Sequence, residues 1–293
     1  MAAKQPLLQL AWFHIDDPAS PELDELARRF NLHELDIEDC RHRVQRAKVE
    51  EHDDYIFVVL KHLHRNELVH FDDFDVFVGR DFIITVTKSD EPVIGRIRNR
   101  LSQSRVERLD RAFYTMVDSI VDEYMVELDR IGDEISDIEK RIVDDATPHE
   151  LRRIFRGKRR LLEFRRNASG MREVVNTIMR REGGLVGDDL DPYFRDIYDH
   201  LIRTTDLIET YRDLLTGTMD IYMSVVANRT NEVMKILTIW GTIALPLVII
   251  TGFFGMNLPL PWQQTHHGTL FAVLTMLTST LLVLLYFKRK KWF

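Results

Sequence analysis

Two uncharged apolar segments, close together near the C-terminal end, constrain this chain more than any other feature. Ile236–Met256 runs for 21 residues without a charge and Thr269–Phe287 for 19. About 20 apolar residues cross a hydrocarbon core of about 30 Å. The eleven residues Leu258–Gly268 between them allow only a short turn. The pattern predicts a membrane hairpin carried by an otherwise polar chain, which points to transport.

Ahead of the first span lie 235 of the 293 residues, enough for one large domain or two smaller ones. The formal charge is −7, and without the four cations Lys288, Arg289, Lys290 and Lys291 it is −11. An acidic body argues against nucleic acid, which wants a basic face, and suits attraction of cations. It is equally what solubility asks of an ordinary domain. Cys40 is the single cysteine, so an intrachain disulfide and a four-cysteine zinc site are excluded. The first eighteen residues lack the apolar core of a signal peptide, so the body is expected in the cytoplasm. Arg229 and Lys235 precede the first span and the Lys-rich tail follows the second, whereas Leu258–Gly268 has no Lys or Arg. The positive-inside tendency then leaves both termini cytoplasmic and the loop outside.

The first hundred residues mix element types. Ser20-Pro21-Glu22 reads as a helix start feeding Leu23, Leu26, Ala27 and Phe30. Tyr55–Leu63, Leu68–Val78 and Asp81–Lys88 are rich in β-branched and aromatic residues and read as strands. After Pro92 the strand signal stops. Arg111–Asp145 carries apolar residues from Val117 to Ile142 at spacings of three and four, a helical stripe. A second helix is expected from about His149 to Glu182, closed by Gly183-Gly184, and a third opens at Asp191-Pro192. Continued to Asn257, that third helix has about 65 residues and a length near 95 Å. Such a helix is a stalk, expected to pack against copies of itself.

One face of the stalk stands out. Asn231, Met234, Thr238, Gly241, Leu245, Val248 and Gly252 form a heptad repeat, with Leu237 beside it. Sustained heptads favour helix association. Small residues on such a face fit close helix packing in a membrane; the same face also fits a narrow, unreactive pore lining.

The segment Asn231–Asn257, ending in Gly255-Met256-Asn257, resembles the first membrane helix of the CorA family of divalent-cation channels. The layout of nearly the whole chain is similar too, down to the basic tail. The resemblance implies an α+β membrane protein with a cytoplasmic α/β domain (1–92), a helical hairpin region (93–190) and a stalk (191–235). Beyond these come a first span (236–257), a periplasmic loop (258–268), a second span (269–287) and a cytoplasmic tail (288–293). It further implies a funnel-shaped homopentamer in the lipid of a bacterial inner membrane, with five first spans around a pore. Gly255, Met256 and Asn257 would form the selectivity filter, and Asn231, Met234, Leu237, Leu245 and Val248 would line the path. The expected cargo is Mg2+, with Co2+ and Ni2+ tolerated. Asp220 falls where family members place a stalk aspartate that binds regulatory Mg2+; Asp90 or Glu91 is the expected partner carboxylate.

Departures from the pattern matter as well. Many family members carry an acidic residue just after the tripeptide, but LPLPWQQTHHG has none. His266 and His267 there suit a softer metal such as Zn2+, or are simply interfacial polar residues beside Trp262. Lys61-His62-Leu63-His64 sets two imidazoles on one strand face, which is either metal-ligand geometry or a polar sheet face. The basic run Arg152–Arg166 is expected to pair with the acidic stretch Asp129–Glu139. No nucleophile–base pair, phosphate-cradling glycine loop or HExxH motif is present, so neither an enzyme nor a nucleotide partner is expected. Two alternatives stand beside the Mg2+ channel. One is a ZntB-like Zn2+ transporter, proton-coupled or not; the other is a membrane-anchored sensor or scaffold.

Overall fold

Strand chemistry dominates the first part of the chain. The computed structural model describes residues 4–5, 11–42, 45–65, 69–87, 92–104, 106–180, 185–256, 266–290 and 292. Six strands, β1 (Lys4–Gln5), β2 (Trp12–Ile15), β3 (Lys48–Glu51), β4 (Tyr55–Arg65), β5 (Val69–Gly79) and β6 (Ile83–Val86), form one sheet in the order β1-β2-β6-β5-β4-β3. β2 and β6 pair in parallel, and every other neighbour is antiparallel. The centre of β4 reads as a continuous apolar run because Ile56–Leu60 is buried on both faces. Phe57, Val59 and Phe77 on one face join a core with Leu23 and Leu26 of α1 (Pro21–Phe30) and Ile37 and Cys40 of α2 (Glu34–Arg41).

The α1 start follows its sequence signature. Ser20 Oγ accepts from the Glu22 amide, Pro21 occupies the first turn, and Glu22 and Asp24 face the positive helix end. Asn31 closes the helix in the left-handed region at φ 50°, which asparagine tolerates.

Beyond α3 (Pro92–Gln103) come three long helices: α4 (Leu109–Asp144), α5 (Pro148–Met179) and α6 (Asp191–Phe254). The expected ends at Glu182–Gly184 and Asn257 lie outside the described residues. Cross-helix contacts give the directions. Thr204 meets Met125, a Cβ on Gly132 would meet the Tyr211 hydroxyl, and Thr218 donates to Glu139. Each partner pair steps by seven residues at a constant offset of 79, so α4 and α6 run parallel with a heptad seam. α5 runs against both, placing Arg153 on Asp137, Arg160 on Glu134, and Arg165 on Glu209. The expected pairing of the basic run with the acidic stretch is thus found, extended to Glu127, which is buried and bonded by Arg160 at 2.8 Å.

The chain divides into two units, one of residues 1–141 with 147–219, the other of 142–146 with 220–293. Within the second, α6 passes through Pro246 and α7 (His266–Arg289) follows. Both helices are long and apolar enough to cross a membrane.

Candidate functional site

The stripe read from the sequence lies along the C-terminal part of α6. Asn231 is exposed, as are Met234, Leu237, Leu245 and Val248; Leu237 and Val248 each reach 65%. Among the described residues, and apart from the backbone of its own turn of helix, nothing lies within 4 Å of the place where a Cβ on Gly241 would stand. Among the described residues this face is therefore left largely uncovered, although it is rich in apolar side chains.

Polar groups on the same helix are satisfied internally. Thr238 donates to the Met234 carbonyl, Thr242 to Thr238, and Thr251 to Leu247, at 2.7–2.8 Å. Such back-bonding hides a hydroxyl in a medium that offers no hydrogen bonds. Pro246 has no amide to give, so the Thr242 carbonyl lacks its helical donor.

α6 ends in a tight turn at the signature tripeptide. The Gly255 amide donates to Thr251 at 2.8 Å and the Met256 amide to Phe253 at 3.4 Å. A Cβ on Gly255 would stand 3.0 Å from the Thr251 carbonyl oxygen, which favours glycine at this step. Phe254 meets Phe271 of α7 edge-on at 6.4 Å between ring centres. Met256 is exposed. Asn257, residues 258–265 and the side chain of His266 lie outside the description; His267 is exposed. At its other end α7 carries Lys288 and Arg289 in its last turn, and Phe287 stacks on Trp292 at 5.2 Å.

Asp220 is exposed on α6, and its carboxylate makes no ion pair among the described residues. Asp90 and Glu91 lie outside them. Of the paired histidines on β4, His62 is fully buried, edge-on to Phe74 at 6.0 Å and 3.5 Å from Thr87 Oγ1. It belongs to the interior, while His64 faces the neighbouring strand.

A carboxylate–imidazole cluster in the α/β part gave no local sequence signal, because its members come from separate segments. Asp36, fully buried, accepts from the Tyr55 hydroxyl at 2.6 Å and lies 2.9 Å from His52 Nε2. Burial raises the Asp36 pKa, opposed by the Tyr55 hydrogen bond and the His52 charge. Glu50 beside it is held low, first by its hydrogen bond from Lys48.

The sequence matches the family described as "CorA-like Mg2+ transporter protein" over residues 8–289. The chain belongs to the CorA family. It is therefore a member of a family of metal-ion transporters and not of a family of enzymes. The cobalt/magnesium transport protein CorA of Thermotoga maritima is 35% identical over 271 residues, covering 90% of this chain and 77% of the relative. The putative metal ion transporter YfjQ of Bacillus subtilis is 31% identical, covering 97% and 91%. The complete structure of the Methanocaldococcus jannaschii CorA magnesium transporter superposes with a TM-score of 0.86 over 97% of this chain and 92% of that one. At 23% identity that likeness speaks to fold: an N-terminal α/β domain, long helices and two C-terminal apolar helices.

Proposed function

We propose that this CorA-family chain is a divalent-cation channel that moves hydrated Mg2+, with Co2+ and Ni2+ tolerated, down its electrochemical gradient across a bacterial inner membrane. The observation that carries the reading is a family match that takes in the α/β part, both apolar helices and the Gly-Met-Asn tripeptide together. The T. maritima relative, named for cobalt and magnesium transport, supports the choice of ions.

In this reading five copies assemble as a funnel, and the exposed stripe on α6 faces a shared axis. Asn231, Met234, Leu237, Leu245 and Val248 line the path. Gly255, Met256 and Asn257 ring its outer mouth. Mg2+ gives up its waters reluctantly. Amide and main-chain oxygens accept hydrogen bonds from those waters without stripping them, and neutral ligands leave the ion free to escape, as conduction requires. The Leu237 and Leu245 rings form an apolar constriction. Intracellular Mg2+ bound at Asp220, with Asp90 or Glu91 of a neighbouring copy, holds the path closed. Both termini lie in the cytoplasm.

Mg2+ uptake by proteoliposomes tests this. Wild type should give flux that Asn257→Ala abolishes; equal flux from the two would overturn it. A second reading, Zn2+ transport of the ZntB kind, is favoured by the acid-free segment 258–268 with His266 and His267. Proton-stimulated Zn2+ flux without Mg2+ flux would establish that reading instead.

A further inference from the structure

The hairpin of β4 and β5 brings together three side chains that sequence spacing did not group. The register sets His64 directly across from His70, and His62 across from Asp72. Strand alternation then puts His64, His70 and Asp72 on one face. Nδ1 of His64 lies 3.8 Å from Asp72 Oδ2, and Nε2 of His70 lies 3.5 Å from the same oxygen. The two rings are 4.8 Å apart, centre to centre, and a donor atom from each of the three residues falls within 4.8 Å of the others.

These separations are longer than a good hydrogen bond to an imidazole. They are close to the gap left when one atom sits between the groups, and a small side-chain rotation closes the difference. Zinc binds nitrogen at about 2.0–2.1 Å and carboxylate oxygen at about 2.0–2.2 Å, so ligand atoms on a tetrahedron stand about 3.3–3.5 Å apart. Eleven paired positions along β4 and β5 fix the backbone under all three ligands. Little ordering entropy remains to oppose binding. The site is reachable, since the side chain of His64 is 17% exposed and that of His70 is 44% exposed.

We propose that His64, His70 and Asp72 bind a borderline transition-metal ion of the Zn2+ class, with water completing its coordination. Two neutral imidazoles and one carboxylate suit Zn2+, Co2+ or Ni2+. They do not suit Mg2+, which prefers an octahedron of oxygens and keeps its waters. The site is therefore chemically distinct from the oxygen-bearing ring proposed at the mouth of the cargo's path, and it does not depend on that assignment. It replaces the His62–His64 pairing as the metal-ligand reading of this strand.

Two measurements on the full chain in detergent decide the matter. Equilibrium dialysis against Zn2+ in a large excess of Mg2+ should find a bound Zn2+ equivalent in wild type and in His266→Ala/His267→Ala. It should be lost in His64→Ala/His70→Ala. Substituted Co2+ should give the intense visible bands of a four- or five-coordinate nitrogen–oxygen site, and these should weaken in Asp72→Asn, a near-isosteric change. Unchanged thermal unfolding midpoints confirm that the variants are folded. Zn2+ retained by His64→Ala/His70→Ala, or abolished by His266→Ala/His267→Ala, would overturn the proposal. So would a Co2+ spectrum that stays weak and octahedral.

Discussion

α6 places the same kind of residue in two opposite situations. In its first part Phe194, Ile197, Leu201, Ile208 and Leu215 are each 0–1% exposed. In its last part Met234, Leu245 and Val248, on a heptad stripe of their own, and Leu237 beside them, are 55–65% exposed. The helix-forming pattern is shared, so local propensity cannot be the cause. What differs is the neighbour: α4 and α5 cover the first part, whereas the side chains of the last part stay largely exposed among the described residues. Burying an aliphatic side chain is worth about 1.5–3 kcal/mol, so the uncovered stripe has a strong tendency to find cover. In the proposed assembly, the matching stripes of the other copies, gathered around the shared axis, supply it.

The sharpest way to break this contrast is to remove bulk from each side. Phe164 is 2% exposed, with its ring 5.0 Å from Phe71 and 5.3 Å from Tyr124. Phe164→Ala should lower unfolding stability in denaturant titrations by about 3–5 kcal/mol. A smaller loss is expected from Arg160→Ala, which takes a charged partner from buried Glu127. About 2 kcal/mol is reasonable there.

In the C-terminal part the expectation reverses. Leu245→Ala and Gly241→Leu should each shift that unfolding by no more than about 0.5 kcal/mol. Gly241→Leu should nevertheless weaken assembly, read by light scattering on the purified protein, because a side chain would enter the face that the proposed assembly gives to neighbouring copies. Unaltered assembly would show that lipid alone covers it.

The smallest effect concerns Asp36. Burial holds its carboxyl above the ordinary 3.8, so the folded chain keeps this proton more tightly than the unfolded one. Stability from this group is then greatest at low pH and falls as pH rises from about 3.8 through the raised value. Relative to Asp36→Asn, wild type should lose ground across that window. A constant difference between the two proteins would contradict the assignment.

How much could be read in the sequence depended on the range of the cause. Ser20 as a cap, the apolar run of β4 and the three–four spacing of α4 are local signals, and all three appear in the fold. β3 is only Lys-Val-Glu-Glu, held by pairing with β4 rather than by propensity. β2 exists because β6, some seventy residues away, lies beside it. α2 buries Ile37 and Cys40 but has no clean stripe. α3 does place Val93, Ile94, Ile97 and Leu101 inward at helical spacing, a signal that the strand-to-helix change at Pro92 obscured. The site followed the same rule. The α6 stripe and the tripeptide were visible as a pattern along one helix. His70 and Asp72 became partners of His64 only through the register of two strands.

Pro246 has a mechanical consequence. Where proline interrupts the ladder, a helix loses one of the struts that resist flexing. Tilting the C-terminal portion of α6 at that level has one fewer hydrogen bond to oppose it. Stiffness is thus reduced between Leu245 and Val248, where a small angular change would alter the width of any passage those side chains enclose.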